Sequence, residues 1–192
     1  MLRILRFIAV VLIFGVTTTF TTSVYAQRNC QTMEYLREQE IADPEVPFRM
    51  QTIERHTSRY QSITDWRSEE KIVIPVVVHI VYAEEAENLL LEQIESQIAV
   101  LNEDFNRLNA DTSSLWSQAA SVDIEFRLAN FDPEGNPTSG VVRKHTSRSS
   151  FTARNAIKLD SLGGSDAWPA TDYLNTWGGD LSGRQMGCAQ FP

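Results

Sequence analysis

The chain has 192 residues, with 17 basic against 25 acidic side chains and a formal net charge of −8 at neutral pH. That balance argues against nucleic acid or an anionic membrane surface as partner, because both reward clustered Lys and Arg. Two cysteines, Cys30 and Cys188, are too few for a disulfide scaffold even in an oxidising compartment, so a packed core must carry stability.

Residues 1–26 read as a secretory signal peptide. Arg3 and Arg6 supply the positive start, Phe7 to Val16 form an apolar run of ten residues, and Val24-Tyr25-Ala26 offers a cleavage site after Ala26. A spanning helix needs roughly 20 apolar residues, and here the run fails into Thr17-Thr18-Thr19-Phe20-Thr21-Thr22. No stable membrane anchor is therefore expected after cleavage, and a lipoprotein reading through Cys30 is disfavoured by the polar Gln27-Arg28-Asn29 before it. The exported chain keeps 15 basic and 25 acidic residues, a net charge of −10. Its length suits one domain plus an extension.

Residues 27–70 are polar and charge-rich, with weak helical stretches around Met33–Ile41 and Phe48–Tyr60 separated by two prolines, Pro44 and Pro47. Few large apolar residues recur at a fixed period, which predicts an extension or pro-segment and not a core. Residues 71–192 are patterned differently. Ile72 to Tyr82 is β-branched and almost wholly apolar, a strand buried on both faces. Pro75 cannot donate a ladder hydrogen bond, so the start of that strand is expected at an edge or bulge.

Leu91, Ile94, Ile98, Leu101, Phe105 and Leu108 recur every three or four residues and predict an amphipathic helix ended by Asn109-Ala110-Asp111. Glu92, Glu95, Asn102, Glu103 and Asn106 fall on its other faces. Val122 to Leu128 alternates strictly, as a half-buried strand does. Asp132 to Pro137 reads as a turn and Gly140 to Thr146 as a partner strand, while Phe151–Leu159 is ambiguous. Gly163 to Pro169 reads as a loop, Tyr173–Trp177 as a strand, Gly178 to Gly183 as a turn, and Met186–Phe191 as a last short strand. The fold class that follows is α+β or mixed α–β: a twisted, mostly parallel mixed sheet with helices packed against it.

The three histidines are the first place to seek chemistry. A zinc-peptidase helix presents two histidines at i and i+4 with a glutamate beside the first. None of His56, His79 and His145 is followed by Glu or has a partner four residues on. His79 lies mid-strand and reads as a hydrogen-bonded core residue; His56 and His145 read as solvated. A cysteine hydrolase on Cys188 lacks a supporting surround, and a buried or edge-strand thiol is the plainer reading. A serine triad lacks Gly-x-Ser-x-Gly, its nearest match being Gly163-Gly164-Ser165-Asp166-Ala167. Glu84, Glu85, Glu87, Glu92, Glu95, Glu103 and Asp104 raise paired-carboxylate or calcium chemistry, but they alternate with core positions as a solvated helix face does.

Several segments, in order, resemble the pappalysin family of metzincin zinc peptidases over about residues 28–192. Ile74 to Tyr82 resembles the family's first core strand, and Ile94–Leu108 with its exit through Asp111 its first helix. Ile124 to Ala129, Gly163 to Pro169, Tyr173 to Trp177, Leu181-Ser182-Gly183 and Gly187-Cys188-Ala189-Gln190-Phe191-Pro192 follow in sequence. The resemblance implies a secreted bacterial peptidase with a pro-segment, and the upper, N-terminal subdomain of a metzincin catalytic domain over residues 71–192. In the family, His-Glu-x-x-His-x-x-Gly-x-x-His on a later helix supplies three zinc ligands and a general base. None of these residues occurs here, so no catalytic residue or metal ligand is carried over, zinc is expected for the parent family and not for this chain alone, and the chain is expected to be a truncated, inactive fragment.

Two further roles are implied. Cys30 lies where some members hold a pro-segment cysteine that ligates zinc and keeps the enzyme latent, although Gln31 follows it where the family tends to glycine. Gly187, Cys188, Ala189 and Gln190 resemble the edge strand along which a peptide substrate adds antiparallel, an edge expected to be uncovered in this chain. The alternatives are an exported, non-enzymatic peptide-binding module, a degenerate relic, or an unrelated α/β domain with a coincidental pattern.

Overall fold

The computed structural model describes residues 29–61, 71–112, 115–117, 119–152, 155–183 and 185–190. The signal-peptide reading of residues 1–26 and the final Phe191 and Pro192 lie outside them.

The sheet is organised around β2 (Ile72–Tyr82), whose β-branched run suits a pleated, covered surface. Three strands pair with it, all parallel: β3 (Ile124–Leu128), β4 (Val141–His145) and β5 (Leu174–Gly178). The register shows which edge each takes. Val76 pairs with both Leu128 and Leu174, so β3 and β5 flank β2 on opposite sides. Val78 pairs with both Val141 and Thr176, which puts β4 opposite β5 too. Strands β3 and β4 therefore run end to end along one edge of β2.

This corrects the expectation that Gly140–Thr146 partners the preceding strand. The intervening residues form an excursion closed by an antiparallel bridge between Phe131 and Pro137. Asp132 holds its turn by accepting from the backbone N–H groups of Asn136 at 2.7 Å and Glu134 at 3.1 Å. The chain rejoins β2 at Gly140, whose φ of +72° and approach to Ala129 leave no room for a side chain; a Cβ there would lie 2.6 Å from the Ala129 nitrogen.

Pro75 is accommodated as expected. Ile72 N–H donates to Asp123 and Val78 N–H to Gly140, so even-numbered residues of β2 face the β3–β4 edge and odd-numbered ones the β5 edge. Pairing with β5 begins at Val76, so the nitrogen of Pro75 faces an edge that carries no ladder at that level. Burial on both faces holds only from Val76 to Val81, because β5 starts there; Ile72 and Val73 are exposed.

Helix α3 (Leu91–Phe105) crosses from β2 to β3. Ile94 is buried, and Ile98 and Leu101 pack with it against Val76, Val78, Ile80 and Phe126. Burying an aliphatic side chain fully, as at Ile94, contributes about 1.5–3 kcal/mol. The helix stops earlier than its apolar repeat predicts: Asn106 caps it, Arg107 turns to a φ of 55°, and Leu108 is exposed. Asn102 and Asn106, placed by the sequence off the apolar face, bind the outer edge of β3. Asn102 donates to Phe126 O at 2.9 Å and accepts from Phe126 N–H at 2.7 Å; Asn106 donates to Ile124 O at 3.1 Å. A side-chain amide thus does for β3 what another strand would do.

The ambiguous stretch Phe151–Leu159 resolves into an isolated parallel bridge, Phe151 to Leu181, followed by a single 3₁₀ turn, Asn155–Lys158. Phe151, Val81 and Ile157 form a second small core beside Trp177 and Leu181. The polar extension forms α1 (Thr32–Ala42) and α2 (Val46–Gln61), as its weak helical stretches suggest. It is less solvated than expected, because Tyr35, Leu36 and Val46 are buried. Finally β6 (Gln185–Gly187) pairs with β1 (Asn29–Cys30) in a ladder separate from the main sheet.

Candidate functional site

The residues singled out as a peptide-docking edge lie at β6 and just beyond it, and one edge of β6 is paired, while Ala189 and Gln190 stay exposed. Strand β1 runs parallel along β6, with Cys30 opposite Gly187 and Asn29 opposite Gln185. Gln31 N–H donates to Gly187 O at 3.2 Å, and Ala189 N–H donates to the Thr32 hydroxyl at 3.0 Å. The expectation of an uncovered edge holds only in part: segment 29–32 takes up hydrogen bonds along one side of β6, and among the described residues no strand pairs with its other side. Strand β6 is also shorter than predicted, with Cys188, Ala189 and Gln190 outside it.

Neither cysteine is in a disulfide, and both lie at this edge, Cys30 opposite Gly187 and Cys188 next in the chain. Cys30 is exposed, and the Thr32 hydroxyl, 3.1 Å from its sulfur, together with the Thr32 backbone holds its thiol below the ordinary range. Cys188 is half-buried; burial pushes its thiol up, the Lys158 ammonium opposes that rise, and Cys30 adds to it.

Beside Cys188 lies a cluster that no sequence pattern announces. Tyr35 of α1 is 4% exposed. Its hydroxyl donates to Asn155 Oδ1, lies 3.3 Å from Gln190 Oε1, and accepts from Lys158 Nζ at 3.3 Å. The same ammonium donates to Gln190 Oε1 at 2.8 Å and sits 4.6 Å from the centroid of the Tyr35 ring and 5.8 Å from that of Trp177. Burial lowers the pKa of Lys158 and raises that of Tyr35. Tyr35 and Lys158 stand 123 positions apart, so no motif spacing points to the pair.

Trp177 is held by His79. That imidazole is fully buried, stacked at 4.9 Å on Trp177, and bonded by Nδ1 to the Ser165 hydroxyl at 2.9 Å and by Nε2 to Asn175 Oδ1 at 3.0 Å. Asn175 Nδ2 donates to Trp168 O at 2.9 Å, which leaves Oδ1 as acceptor. The proton of His79 therefore sits on Nε2, and Nδ1 accepts from Ser165. Burial pushes the imidazole below its ordinary range, with the Asn175 contact pulling the other way. His79 is the core residue that its place in the sequence predicted. His56 and His145 are exposed and pack on Tyr60 and Tyr82 respectively.

These positions do not fit a zinc ion. The three histidines lie apart, and among the described residues no group of three or more His, Cys, Asp or Glu side chains is placed to hold a metal. No helix among them is long and apolar enough to cross a membrane.

A parallel sheet of β3–β4, β2 and β5, crossed by α3 and accompanied by the separate short strand β6, has the fold of a metzincin catalytic domain. No protein-family profile matches the sequence, and no curated protein does. Solved structures do. Mirolysin in complex with a small compound shares 47% identity at a TM-score of 0.61 over 65% of this chain and 48% of its own. Mature mirolysin of Tannerella forsythia with a cleaved peptide shares 46% at 0.53 over 57% and 43%. A promirolysin mutant of the same organism shares 39% at 0.63 over 85% and 53%. The chain thus spans about half the length of the solved proteins it matches. It is related to the pappalysin-like metzincin metallopeptidases, which removes the reading of an unrelated α/β domain.

Proposed function

We propose that this chain carries the pro-segment and the upper rim of the peptide cleft of a secreted, pappalysin-like zinc endopeptidase, with the pro-segment closing the docking edge. The observation that carries this reading is the parallel ladder between Asn29–Cys30 and Gln185–Gly187. A peptide substrate adding to such an edge would run antiparallel; a pro-segment running the other way takes the same hydrogen bonds while presenting its backbone in reverse. Coverage supports the division of the chain near residue 70. The matched share of this chain rises from 57% against mature mirolysin to 85% against the pro form. That mature mirolysin is seen with a cleaved peptide supports peptides as ligands of the corresponding edge here.

Peptide-bond hydrolysis in the family rests on a metal that lowers the pKa of a bound water, and this sequence contains no His-Glu-x-x-His. The 192-residue chain alone is therefore a peptide-docking element without the catalytic metal. Cys30, with its thiol pKa lowered by Thr32, is the residue that would ligate zinc were a metal-bearing half present. The bare-binder alternative rests on the same edge together with the missing ligand set. Gln31→Pro tests the docking reading, because it deletes the N–H that donates to Gly187 O. The variant should bind an extended pentapeptide more tightly than the parent chain. Equal binding would sink the claim that segment 29–31 competes for the edge. A purified parent chain that retained one zinc per molecule and cleaved peptides would overturn the inactivity.

A further inference from the structure

Tyr35 is contacted both at its hydroxyl and at its ring face. The phenol fills a position with a cation over its ring, an amide oxygen taking its proton, and an ammonium giving one back. Every group that recognises it belongs to the body of the fold: Asn155 and Lys158 on the 3₁₀ turn, Gln190 just beyond the docking edge, and Trp177 on β5 beneath Lys158. The ligand alone belongs to the extension. A lysine half-buried between two aromatic rings loses hydration that only a facing π-surface and carbonyl oxygens replace. Withdrawing Tyr35 would leave that ammonium with Gln190 and Trp177, and a ring-sized vacancy next to the strand end. Trp177 is also stacked on the buried His79 ring, a contact that does not involve the phenol.

We propose that Lys158, Asn155, Trp177 and Gln190 form a binding subsite for a tyrosine side chain, occupied in cis by Tyr35 and open, once Tyr35 leaves, to a tyrosine of a peptide docked on Gln185–Gly187. The second half of this statement rests on the docking reading above; the first half does not. The subsite selects a phenol over a plain ring because hydroxyl donor and acceptor capacities are both met. It selects an aromatic over an aliphatic residue because the ammonium faces the ring.

The test uses the full chain carrying Tyr35→Ala, with p-cresol as the free analogue of the side chain and toluene as the ring without a hydroxyl. Binding is read by calorimetry. p-Cresol should bind Tyr35→Ala and not the parent chain, toluene more weakly, and Lys158→Met in the same background should weaken p-cresol roughly tenfold, between the size of an exposed and of a desolvated cation–π contact. Absence of p-cresol binding, or indifference to Lys158→Met, overturns the subsite. Two pentapeptides, alanine throughout or with a central tyrosine, then address docking. The tyrosine peptide should bind Tyr35→Ala roughly tenfold more tightly. Equal binding refutes the role of the subsite in peptide selection, whereas p-cresol binding with neither peptide bound refutes edge docking and leaves the phenol pocket standing. If Tyr35→Ala does not fold, Tyr35→Phe keeps the ring. p-Cresol should then raise deuterium uptake in Thr32–Ala42 at a lower concentration than in the parent, and an unchanged concentration would count against the pocket.

Discussion

Replacing Asn102 with alanine tests whether a helix side chain seals the sheet. Asn102 makes two hydrogen bonds to one residue, donating to Phe126 O at 2.9 Å and accepting from Phe126 N–H at 2.7 Å. Phe126 is 6% exposed, so its backbone groups meet little water once the amide is gone. An orphaned buried polar group costs about 1–3 kcal/mol. Two such groups, with some water entering the space left by the amide, put the loss at about 2–4 kcal/mol. That is a large share of a typical stability of about 5–15 kcal/mol. At about 2–4 °C per kcal/mol for a chain of this size, the midpoint should fall by about 4–16 °C. Asn106→Ala, which removes one bond to the same strand, from Ile124 O at 3.1 Å, should cost less. Urea unfolding followed by circular dichroism gives the free energies, and deuterium exchange gives the site: the Phe126 amide is protected in the parent and should open in Asn102→Ala. A loss below about 0.5 kcal/mol, the level of an ordinary surface change, or an Asn106→Ala cost exceeding that of Asn102→Ala, would refute the view that α3 caps this edge.

Three other outcomes are expected. His79 is buried with a depressed pKa. Its unfolded counterpart takes up a proton below about pH 6.5, so the unfolded state binds more protons in that window. The stabilisation is full above about pH 6.5 and is lost as pH falls toward the folded value; His79→Gln should flatten this part of a midpoint-versus-pH curve, and an unchanged slope counts against it. Thr32→Val removes the hydroxyl beside the Cys30 sulfur, so the Cys30 thiol pKa should rise and its alkylation near neutral pH slow, as mapped by peptide mass; an equal rate rejects Thr32 as the cause. Gly140→Ala forces a Cβ to 2.6 Å from the Ala129 nitrogen at a φ of +72°, and should cost about 1–3 kcal/mol in thermal unfolding; a neutral variant would mean that the return onto β2 is looser than the structure shows.

Strand β2 shows how much one dimension can hold. Its apolar run predicts a strand buried on both faces because it is rich in β-branched residues, which favour a strand over a helix, and the proline near its start predicts the bare edge seen at Pro75. The stripe from Leu91 to Leu101 likewise predicts α3, since a 3.6-residue period places those side chains on one face. His79 as a core residue follows from the same logic. The pairing of Gly140–Thr146 is not legible in the sequence, because a turn signal between two short strands is the same whether they form a hairpin or continue along a third strand. Register along β2 decides between the two, and that register is set by Gly140 meeting Ala129.

By itself, the sequence determined the elements that arise from local periodicity, the resemblance carried by segments in order, and the absence of a histidine pair spaced for zinc. The tertiary structure alone decided what pairs with β6. Cys30 reaches Gly187, Thr32 reaches Ala189, and Tyr35 reaches Lys158 only because chain segments more than a hundred residues apart pack against one another. Such contacts leave no period in the sequence. The hydrogen bonds of a strand edge and the face of an aromatic ring accept partners from any distance along the chain, so their occupants appear only when the chain is folded.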